Sequence, residues 1–450
     1  MGPGRPDGGA NRFLAPDSAS SRLYERARRV IPGGTSKANM YVRPHPCYVA
    51  SGAGCRVTDV DGVERLDAIN NFTALIHGHG FPPVVEAVTR QVARGTAFAS
   101  STPEEVALAE LLVARVPALE RVRFGNSGTE AVMMAIKAAR AYTGRDRIAK
   151  FEGAYHGYYD DVQVSFNSRA PEWGPDDAPA SLPSSGGIPK HRVLETLVLP
   201  WNDRDATERL IALHRNELAA VIVDPLSNRM GFIPPAEGFL AFLRALTRAH
   251  GILLIFDEVI SFRVGSAGAS GRYGGEPDLI GFGKIIGGGF PIGATGGSAD
   301  VMEVFDPGTR GPRIASGGTF SGNPVSMAAG LAAMTAMDEA AFARLNALGE
   351  RLRARLTEVF RASGVRGQVT GDGSLFRLML TDRPLRNYRD AADPAGEART
   401  ERLFYHLLDA GVLVNTNGLA CLSTPMTERE VEELAVALER ALATLARETP

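Results

Sequence analysis

The sequence predicts an α/β protein built on a mostly parallel sheet, and three observations carry this prediction. Two short apolar runs, Ile252–Phe256 and Leu279–Phe282, each lead into a polar side chain, Asp257 and Lys284 respectively. Short apolar runs closed by glycine-rich segments are typical of strands buried in a parallel sheet. Residues 122–142 add a strand, a GNSGT turn and an alanine-rich helix in direct succession. This alternation of strand and helix indicates the α/β class.

The two strand ends predict a functional crevice. Open α/β sheets hold their ligands outside the carboxyl ends of the strands. Asp257 and Lys284 follow two such ends, so we expect both side chains to face one crevice. Lys284 lies between an apolar run and IIGGGFPIGA, and neither flank is typical of a surface. A lysine in an apolar pocket loses its proton easily and becomes a nucleophile.

The pairing of an acid with this lysine indicates a cofactor. Pyridoxal phosphate uses a lysine imine and needs a carboxylate beside its ring nitrogen. FDEV followed by GKIIGGGFPIGA resembles the class III, fold-type I pyridoxal-phosphate enzymes. The similarity is greatest to the branch around glutamate-1-semialdehyde aminomutase and the β-amino-acid and D-phenylglycine aminotransferases. The resemblance implies that Lys284 forms a Schiff base with pyridoxal phosphate and that Asp257 keeps its ring nitrogen protonated.

The resemblance also implies the domain organisation. It predicts a large cofactor-binding domain over residues 70–330, with a mostly parallel seven-stranded sheet. The N-terminal segment 21–69 and the C-terminal part 331–450 are expected to build an α+β small domain. Residues 1–20 lack the apolar core of a signal peptide, and we expect them to form a disordered tail.

The composition is that of an ordinary soluble enzyme. The chain has 450 residues with 44% hydrophobic and 22% charged side chains, and its net charge of −2 offers no field for nucleic acid or a membrane surface. Its three cysteines, Cys47, Cys55 and Cys421, lack metal-ligand spacing, which favours free thiols in a reducing compartment. His77 and His79 have no further ligand cluster nearby, so no metal is expected. The expected location is the cytoplasm.

The segment GNSGTEA predicts a phosphate cradle. Small residues allow the backbone to approach an anion, and free N–H groups at a helix start point towards it. An ordinary capped turn explains Ser127 and Thr129 equally well on their own. Together with Lys284, the cradle formed by Ser127, Gly128 and Thr129 is the better interpretation, and it matches the phosphate loop of the resembling family.

Further cofactor contacts follow from the resemblance. FEGAYHG is similar to the family motif whose tyrosine lies against the cofactor ring and whose histidine follows it, which assigns these roles to Tyr155 and His156. Val259 is expected on the opposite face of the ring. The segment DEVISFRVG is one residue shorter than the family pattern and lacks its glycine.

Thr319 matches the family threonine that reaches the phosphate of the neighbouring subunit's cofactor. The resemblance therefore implies a homodimer whose phosphate site is shared across the interface.

The segment Ser165–Lys190 is rich in proline, serine, glycine and alanine and has no periodicity, which predicts a long loop. In the aminomutase branch a mobile lid occupies this place, and Trp173 would then help to close the site. A surface insertion without such a role is the alternative interpretation.

The substrate contacts depart from both related activities. Met40 stands where the aminomutases carry a substrate-binding arginine, with Lys37 and Arg43 nearby, and Asn417 replaces an arginine of the β-amino-acid enzymes. After the strand Ala219–Val223 the sequence reads DPLSNRMG, where the family has Glu-Pro. Arg229 is a candidate for binding a substrate carboxylate, because guanidinium and carboxylate pair as a two-pronged fork.

The predicted function is a pyridoxal-phosphate-dependent aminotransferase that moves an amino group between an amino compound and a carbonyl acceptor. The alternative is an isomerase, either a glutamate-1-semialdehyde-type aminomutase or an epimerase. A decarboxylase and a non-catalytic binding protein of this fold are more distant alternatives. Retention of Lys284 and Asp257 argues against the non-catalytic protein, since neither residue is needed merely to keep the fold.

Overall fold

The computed structural model describes residues 11–308 and 311–448 of the chain. Its strands are β1 (Val49–Ala53), β2 (Arg56–Asp59), β3 (Glu64–Asp67), β4 (Arg121–Gly125), β5 (Arg147–Phe151), β6 (Thr196–Leu199), β7 (Leu218–Val223), β8 (Leu253–Asp257), β9 (Leu279–Gly283), β10 (Gly293–Gly297), β11 (Gln368–Thr370), β12 (Leu375–Met379), β13 (Val412–Leu413) and β14 (Leu419–Cys421). Its longer helices are α1 (Ala19–Ala27), α2 (Pro82–Arg94), α3 (Pro103–Arg115), α4 (Gly128–Thr143), α5 (Arg204–His214), α6 (Phe239–Ala249), α7 (Pro324–Ala336), α8 (Glu339–Ser363), α9 (Pro394–Asp409) and α10 (Glu428–Glu448). Shorter α-helical turns lie at Lys190–Leu194, Gly268–Tyr273, Ala299–Met302 and Tyr388–Ala391, and Asn70–Thr73 forms a left-handed turn with φ between 47° and 71°.

A seven-stranded sheet forms the centre of the molecule, in the order β4-β10-β9-β8-β7-β5-β6. Its strands run parallel except β10, which pairs antiparallel with both β9 and β4. The strands β7, β8 and β9 are buried along their whole length, as expected for a sheet covered on both faces. The predicted α/β class with a mostly parallel sheet is confirmed.

The carboxyl ends of three neighbouring strands converge at one edge of this sheet. Asp257 ends β8 and is the register partner of Gly281 in β9, while Lys284 directly follows β9. On the other side of β8, Asp224 directly follows β7. The sequence predicted the meeting of Asp257 and Lys284, and the strand order adds Asp224 to them.

The antiparallel strand β10 was not predicted, because its sequence GATGG lacks the β-branched and aromatic residues that favour strands. The glycines of β10 allow the neighbouring backbone to pack closely against the strand. A Cβ atom at Gly293 would lie 1.9 Å from the carbonyl oxygen of Ser127. The absence of a side chain at Gly293 thus allows the start of α4 to rest directly on β10.

Two smaller sheets lie outside the central one. One has the order β1-β2-β3-β13, and the other has the order β11-β12-β14. The parallel pairing of β3 with β13 joins Leu66 to Val412, so an N-terminal and a C-terminal strand share one sheet. The domain boundaries at residues 70 and 330 stay a prediction.

The expectation of a disordered tail over residues 1–20 is wrong for Asn11–Ser20, and residues 1–10 of that range lie outside the described residues. Phe13 is fully buried, and the guanidinium of Arg65 lies 5.6 Å from its ring. Ser18 caps α1 by accepting a hydrogen bond from the Ser21 amide at 2.9 Å. The segment is polar overall, so its sequence did not indicate that one residue, Phe13, packs into the core. Burial of one aromatic ring stabilises a short segment by about 2 kcal/mol.

Within residues 11–308 and 311–448, no helix is both long and apolar enough to span a bilayer.

Candidate active site

Lys284 lies at the start of a turn that leaves β9. Its φ of 52° places a non-glycine residue in the left-handed region, which is costly and is found mostly where the surrounding structure imposes it. Burial lowers the pKa of Lys284, and the negative charge of Asp257 opposes part of that shift. The lysine amine therefore loses its proton more easily than a solvated lysine does.

Asp257 is held by His156. The His156 Nδ1 donates to Asp257 Oδ2 at 2.7 Å, and the Val259 amide donates to Asp257 Oδ1 at 3.0 Å. Burial lowers the pKa of His156, while its hydrogen bond to Asp257 acts in the opposite sense. A neutral imidazole that donates through Nδ1 keeps the carboxylate oriented and leaves Nε2 as an acceptor. In the described part of the chain, Nε2 has no hydrogen-bond partner.

Asp224 is the second carboxyl group at this edge. It is buried, and one of its oxygens accepts from the Leu226 amide at 3.1 Å. Burial raises the pKa of Asp224 well above its usual range, and the negative charge of Asp257 raises it further. The surroundings of Asp224 therefore favour its protonated form.

The predicted phosphate cradle lies at the N-terminus of α4. Ser127 is the N-cap residue, and its Oγ accepts from the Glu130 amide at 3.2 Å. The chain is tightly packed here: a Cβ atom at Gly128 would lie 2.9 Å from the methyl groups of Val259, and one at Gly157 would lie 2.6 Å from Thr129 Oγ1. The structure thus brings Ser127, Gly128, Thr129 and Val259 together beside Asp257.

Tyr155 lies one residue before His156 and is half-buried. Its ring makes an edge contact with the ring of Phe166 at 5.4 Å between centroids, and the guanidinium of Arg229 lies 6.0 Å from it. Burial raises the pKa of Tyr155, so this phenol stays protonated. Its role against a cofactor ring stays a prediction.

Thr319 lies in an exposed stretch before α7. The neighbouring Phe320 is also exposed, with 57% of its surface accessible in the single chain. This position agrees with a residue that acts towards a second subunit, and its contact with a partner's cofactor stays a prediction.

The loop after Asp257, which is shorter than the family pattern, is held by two buried charged residues. The Glu258 carboxylate accepts from the Ser261 hydroxyl at 2.7 Å and from the amides of Ala269 and Ser270. The Arg263 guanidinium donates to the carbonyls of Thr73 and Leu422 and to the Ser374 hydroxyl. Arg263 thereby ties the loop after β8 to the segment at Thr73 and to the C-terminal part at Ser374 and Leu422.

The segment Ser165–Lys190 is an ordered loop that is hydrogen-bonded to Arg389 in the C-terminal part of the chain. Arg389 donates to the carbonyls of Trp173 and Gly174, at 2.7 and 2.9 Å, and lies 5.0 Å from the Trp173 ring. It also pairs with the buried Glu152 at 2.8 Å. Whether this loop acts as a lid stays a prediction.

The two predicted histidines are engaged in structural contacts. The His77 Nδ1 atom lies 3.0 Å from the Thr424 hydroxyl, and His77 Nε2 lies 2.9 Å from the Ala333 carbonyl. His79 contacts the Asp67 carboxylate at 2.7 Å.

The candidate substrate residues separate into two groups. Lys37 donates to Asn71 Oδ1 at 2.5 Å, while Arg43 is exposed and its amide donates to the Tyr405 hydroxyl. Neither side chain lines the cavity that Arg229 and Asn417 share.

The cavity beside Arg229 and Asn417 has a volume of about 460 Å³. It also contains Arg377, which sequence reasoning missed. Arg377 is buried in β12, and burial lowers its pKa to about 10. An arginine inside the apolar run SLFRLML was the available signal, because arginine is rarely buried without a specific partner.

A half-buried lysine and two buried carboxyl groups at the strand ends of a mostly parallel sheet define a fold-type I cofactor site. The family model of the class-III aminotransferases matches residues 38–442, and the chain belongs to that family. It is similar to a glutamate-1-semialdehyde 2,1-aminomutase of Methanothermobacter thermautotrophicus, with 41% identity over 95% of this chain and 99% of the relative.

Solved structures agree with this family. The chain is similar to an omega-transaminase from Sphaerobacter thermophilus with 53% identity and a TM-score of 0.95, covering 97% of this chain and 100% of the other. It is also similar to a transaminase with PLP bound, with 42% identity and a TM-score of 0.89, covering 95% and 98% of the two chains. Pyridoxal phosphate is the cofactor of this enzyme family.

The residues of this chain fit that cofactor. Lys284 offers an amine whose pKa is lowered, and Asp257 offers an oriented carboxylate. The amides of Gly128 and Thr129 belong to the first turn of α4 and have no acceptor within the helix, so they are available to a phosphate.

Proposed function

We propose that this chain is an aminotransferase that moves an amino group from an amino compound to a carbonyl acceptor through Lys284. The observation that carries the proposal is the position of Lys284 beside Asp257 and Asp224, at the ends of adjoining strands, with a lowered pKa. When bound, pyridoxal phosphate supplies an electron-withdrawing ring that stabilises negative charge on the substrate carbon.

The residues of the chain divide the remaining work. The amine of Lys284 would hold the cofactor and would serve as the base that takes a proton from the substrate carbon. Asp257, oriented by His156 and by the Val259 amide, would lie against the cofactor's ring nitrogen and keep it protonated. Ser127, Gly128 and Thr129 would hold the phosphate, and Tyr155 and Val259 would pack against the two faces of the ring.

We further propose a homodimer in which Thr319 completes the phosphate site of the partner subunit. The exposure of Thr319 and Phe320 in the single chain supports this arrangement.

Glutamate-1-semialdehyde-type isomerisation is the second candidate, and the relatives that are glutamate-1-semialdehyde 2,1-aminomutases favour it over transamination. Two observations support transamination instead. The solved omega-transaminase shares more of this sequence, 53% against 41%, and Met40 stands where the aminomutases carry a substrate-binding arginine. The Met40 sulfur contacts Asn415 Nδ2 at 3.4 Å and offers no positive charge to a substrate.

A half-reaction tests the proposal. Single amines are added to purified holoenzyme without an acceptor, while the cofactor's absorbance and the released carbonyl product are followed. Stoichiometric conversion with release of a carbonyl, reversed by an added keto acid, supports transamination. Return of the absorbance without an acceptor, together with a rearranged product from glutamate-1-semialdehyde, supports the aminomutase. The Lys284→Ala variant serves as the control that cannot complete either reaction.

A further inference from the structure

Three arginines line the cavity between the loop after β7, strand β12 and helix α9, and two of them already have partners. The Arg377 guanidinium donates to the carbonyls of Asn228 and Asn417, at 2.6 and 3.0 Å. Arg169 pairs with Glu397 at 2.6 Å. Both positive charges are therefore engaged in holding the walls of the cavity.

Arg229 is different. Among residues 11–308 and 311–448, no carboxylate or carbonyl lies within hydrogen-bond distance of its guanidinium. Its contacts are aromatic, with the guanidinium carbon 4.8 Å from the Phe166 ring and 6.0 Å from the Tyr155 ring. The side chain is half-buried, and burial lowers its pKa. A guanidinium that has lost much of its water without gaining an acceptor is costly, and a bound anion would offset that cost.

The aromatic contacts of Arg229 leave its N–H groups free to bind a ligand. Rings interact with the flat faces of a guanidinium, whereas its N–H groups point outward in the plane. Those N–H groups match the two oxygens of a carboxylate. Two other carboxylates line the cavity, Asp393 and the exposed Glu401, and neither contacts Arg229.

The neighbours of Arg229 point to a ligand as well. The Ser227 hydroxyl is buried with no hydrogen-bond partner in the described part of the chain, and the same holds for Asn228 Oδ1. Buried polar atoms in proteins are normally hydrogen-bonded, so these two unpaired atoms next to the Arg229 guanidinium point to a polar ligand. Arg377 fixes this turn through the Asn228 carbonyl, which makes Arg377 a positioning residue.

The Arg229 guanidinium is connected to the predicted cofactor site through Tyr155. Tyr155, which contacts the Arg229 guanidinium, is adjacent in sequence to His156, and His156 holds Asp257. A molecule bound at Arg229 would therefore lie on the Tyr155 side of the reacting centre.

We propose that the substrates of this enzyme are amino acids and keto acids whose carboxylate binds Arg229, with Ser227 and Asn228 beside it. This inference rests on the proposed function and names its substrate class. Arg229 then supplies the positive charge that Met40 and Asn417 lack at the two family positions.

Matched pairs of amines test the proposal on holoenzyme. Each pair shares the reacting carbon and differs in the carboxylate: phenylglycine with benzylamine, and 3-amino-3-phenylpropanoate with 1-phenylethylamine. For Arg229→Gln we expect kcat/KM of the better carboxylate substrate to fall about 10- to 100-fold, the worth of a charged hydrogen-bonded pair. The carboxylate-free amines should change by less than about threefold. Arg229→Lys, which keeps the charge but loses the fork, should fall between wild type and Arg229→Gln.

The control variant is Arg366→Gln, which removes an exposed arginine that lies 3.6 Å from Asp382 and outside the cavity. It should behave as wild type with every substrate. An equal loss for both members of a pair in Arg229→Gln, or no loss for either, overturns the proposal.

A binding measurement separates this inference from the proposed function. Calorimetry compares 3-phenylpropanoate with the neutral 3-phenylpropanamide, neither of which can react. Wild type and Arg366→Gln should bind the carboxylate at least about tenfold more tightly, and Arg229→Gln should lose that preference. Equal binding of the two ligands to wild type overturns the role of Arg229 even where transamination is observed. Absence of any half-reaction, with the carboxylate preference intact, overturns the proposed function and leaves the Arg229 site in place.

Discussion

The Nδ1 atom of His156 lies 2.7 Å from Oδ2 of Asp257, and both side chains are almost fully buried. The two residues come from different parts of the chain, the segment after β5 and the end of β8. Their hydrogen bond fixes the Asp257 carboxylate in one orientation, with the Val259 amide on its other oxygen. A carboxylate held in this way needs no reorganisation when a cationic ring nitrogen is placed beside it.

The two acids at the sheet edge should respond differently to amide substitution. Asp257→Asn removes the negative charge and should lower kcat about 10²- to 10³-fold, as loss of a preorganised electrostatic contact does. Burial raises the pKa of Asp224 well above its usual range and so favours its neutral form, and Asp224→Asn should therefore lower kcat by less than about threefold. Steady-state kinetics of both variants measures the difference. Equal losses would contradict the assignment of the charge to Asp257.

Lys284 should make the stability of the apoprotein depend on pH. Burial lowers the pKa of Lys284, whereas in the unfolded chain it returns to about 10.4. Between the two values the unfolded state binds the extra proton, so the free energy of unfolding rises with pH across that interval. Lys284→Met removes this dependence. Its stability advantage over wild type, measured by urea unfolding, should shrink as the pH rises towards 10.4, and an advantage that is constant with pH would speak against a buried amine.

The shared phosphate site predicts complementation between two inactive variants. A mixed dimer of Lys284→Ala and Thr319→Val would contain one site with an intact Lys284 and the intact Thr319 of the other subunit. Refolding the two variants together should therefore give more activity than either variant refolded alone. If Thr319 served the cofactor of its own chain, the mixture would show no gain.

Arg389 should stabilise both the loop Ser165–Lys190 and the fold. Its guanidinium and the Glu152 carboxylate are mostly buried, with 10% and 5% of their side chains exposed. Arg389→Gln leaves Glu152 buried without its partner, which should cost about 3–5 kcal/mol in the free energy of unfolding. Hydrogen exchange of residues 173–176 should accelerate as well.

Arg386→Gln is the matched control for Arg389→Gln. Arg386 pairs with Asp390 in the same segment, but 78% of its side chain is exposed. Its loss should change the free energy of unfolding by no more than about 0.5 kcal/mol. A similar loss in the free energy of unfolding for both variants would show that the buried Arg389–Glu152 pair stabilises the fold no more than the exposed Arg386–Asp390 pair does.

Local patterns in the sequence predicted much of the central sheet and of the site. The strand Val122–Phe124 and the helix Glu130–Tyr142 appear as β4 and α4 with slightly longer bounds. The strand ends that carry Asp257 and Lys284 were predicted correctly, because each apolar run and its closing residues lie within a few positions of one another.

Features that join distant segments could not be predicted in the same way. The cavity around Arg229 combines the loop after β7 with β12 and α9, which lie more than a hundred residues further along the chain. The position of Asp224 beside Asp257 could be predicted only from the order of the strands in the sheet. The glycine-rich strand β10 could be predicted only by knowing that Ser127 at the start of α4 packs against it. The spacing of residues along the sequence carries no information on contacts between such distant segments.

The covalent position of the cofactor tests the central claim most directly. The lysines of the chain are Lys37, Lys137, Lys150, Lys190 and Lys284. Lys150 is the instructive competitor, because it is fully buried and its pKa is lowered to about 7, yet its Nζ donates to the Val164 carbonyl at 2.7 Å. Reduction of the holoenzyme with borohydride, followed by peptide mass mapping, should place the reduced pyridoxyl group on Lys284. A pyridoxyl group on Lys150, or none on any lysine, would contradict the proposed role of Lys284.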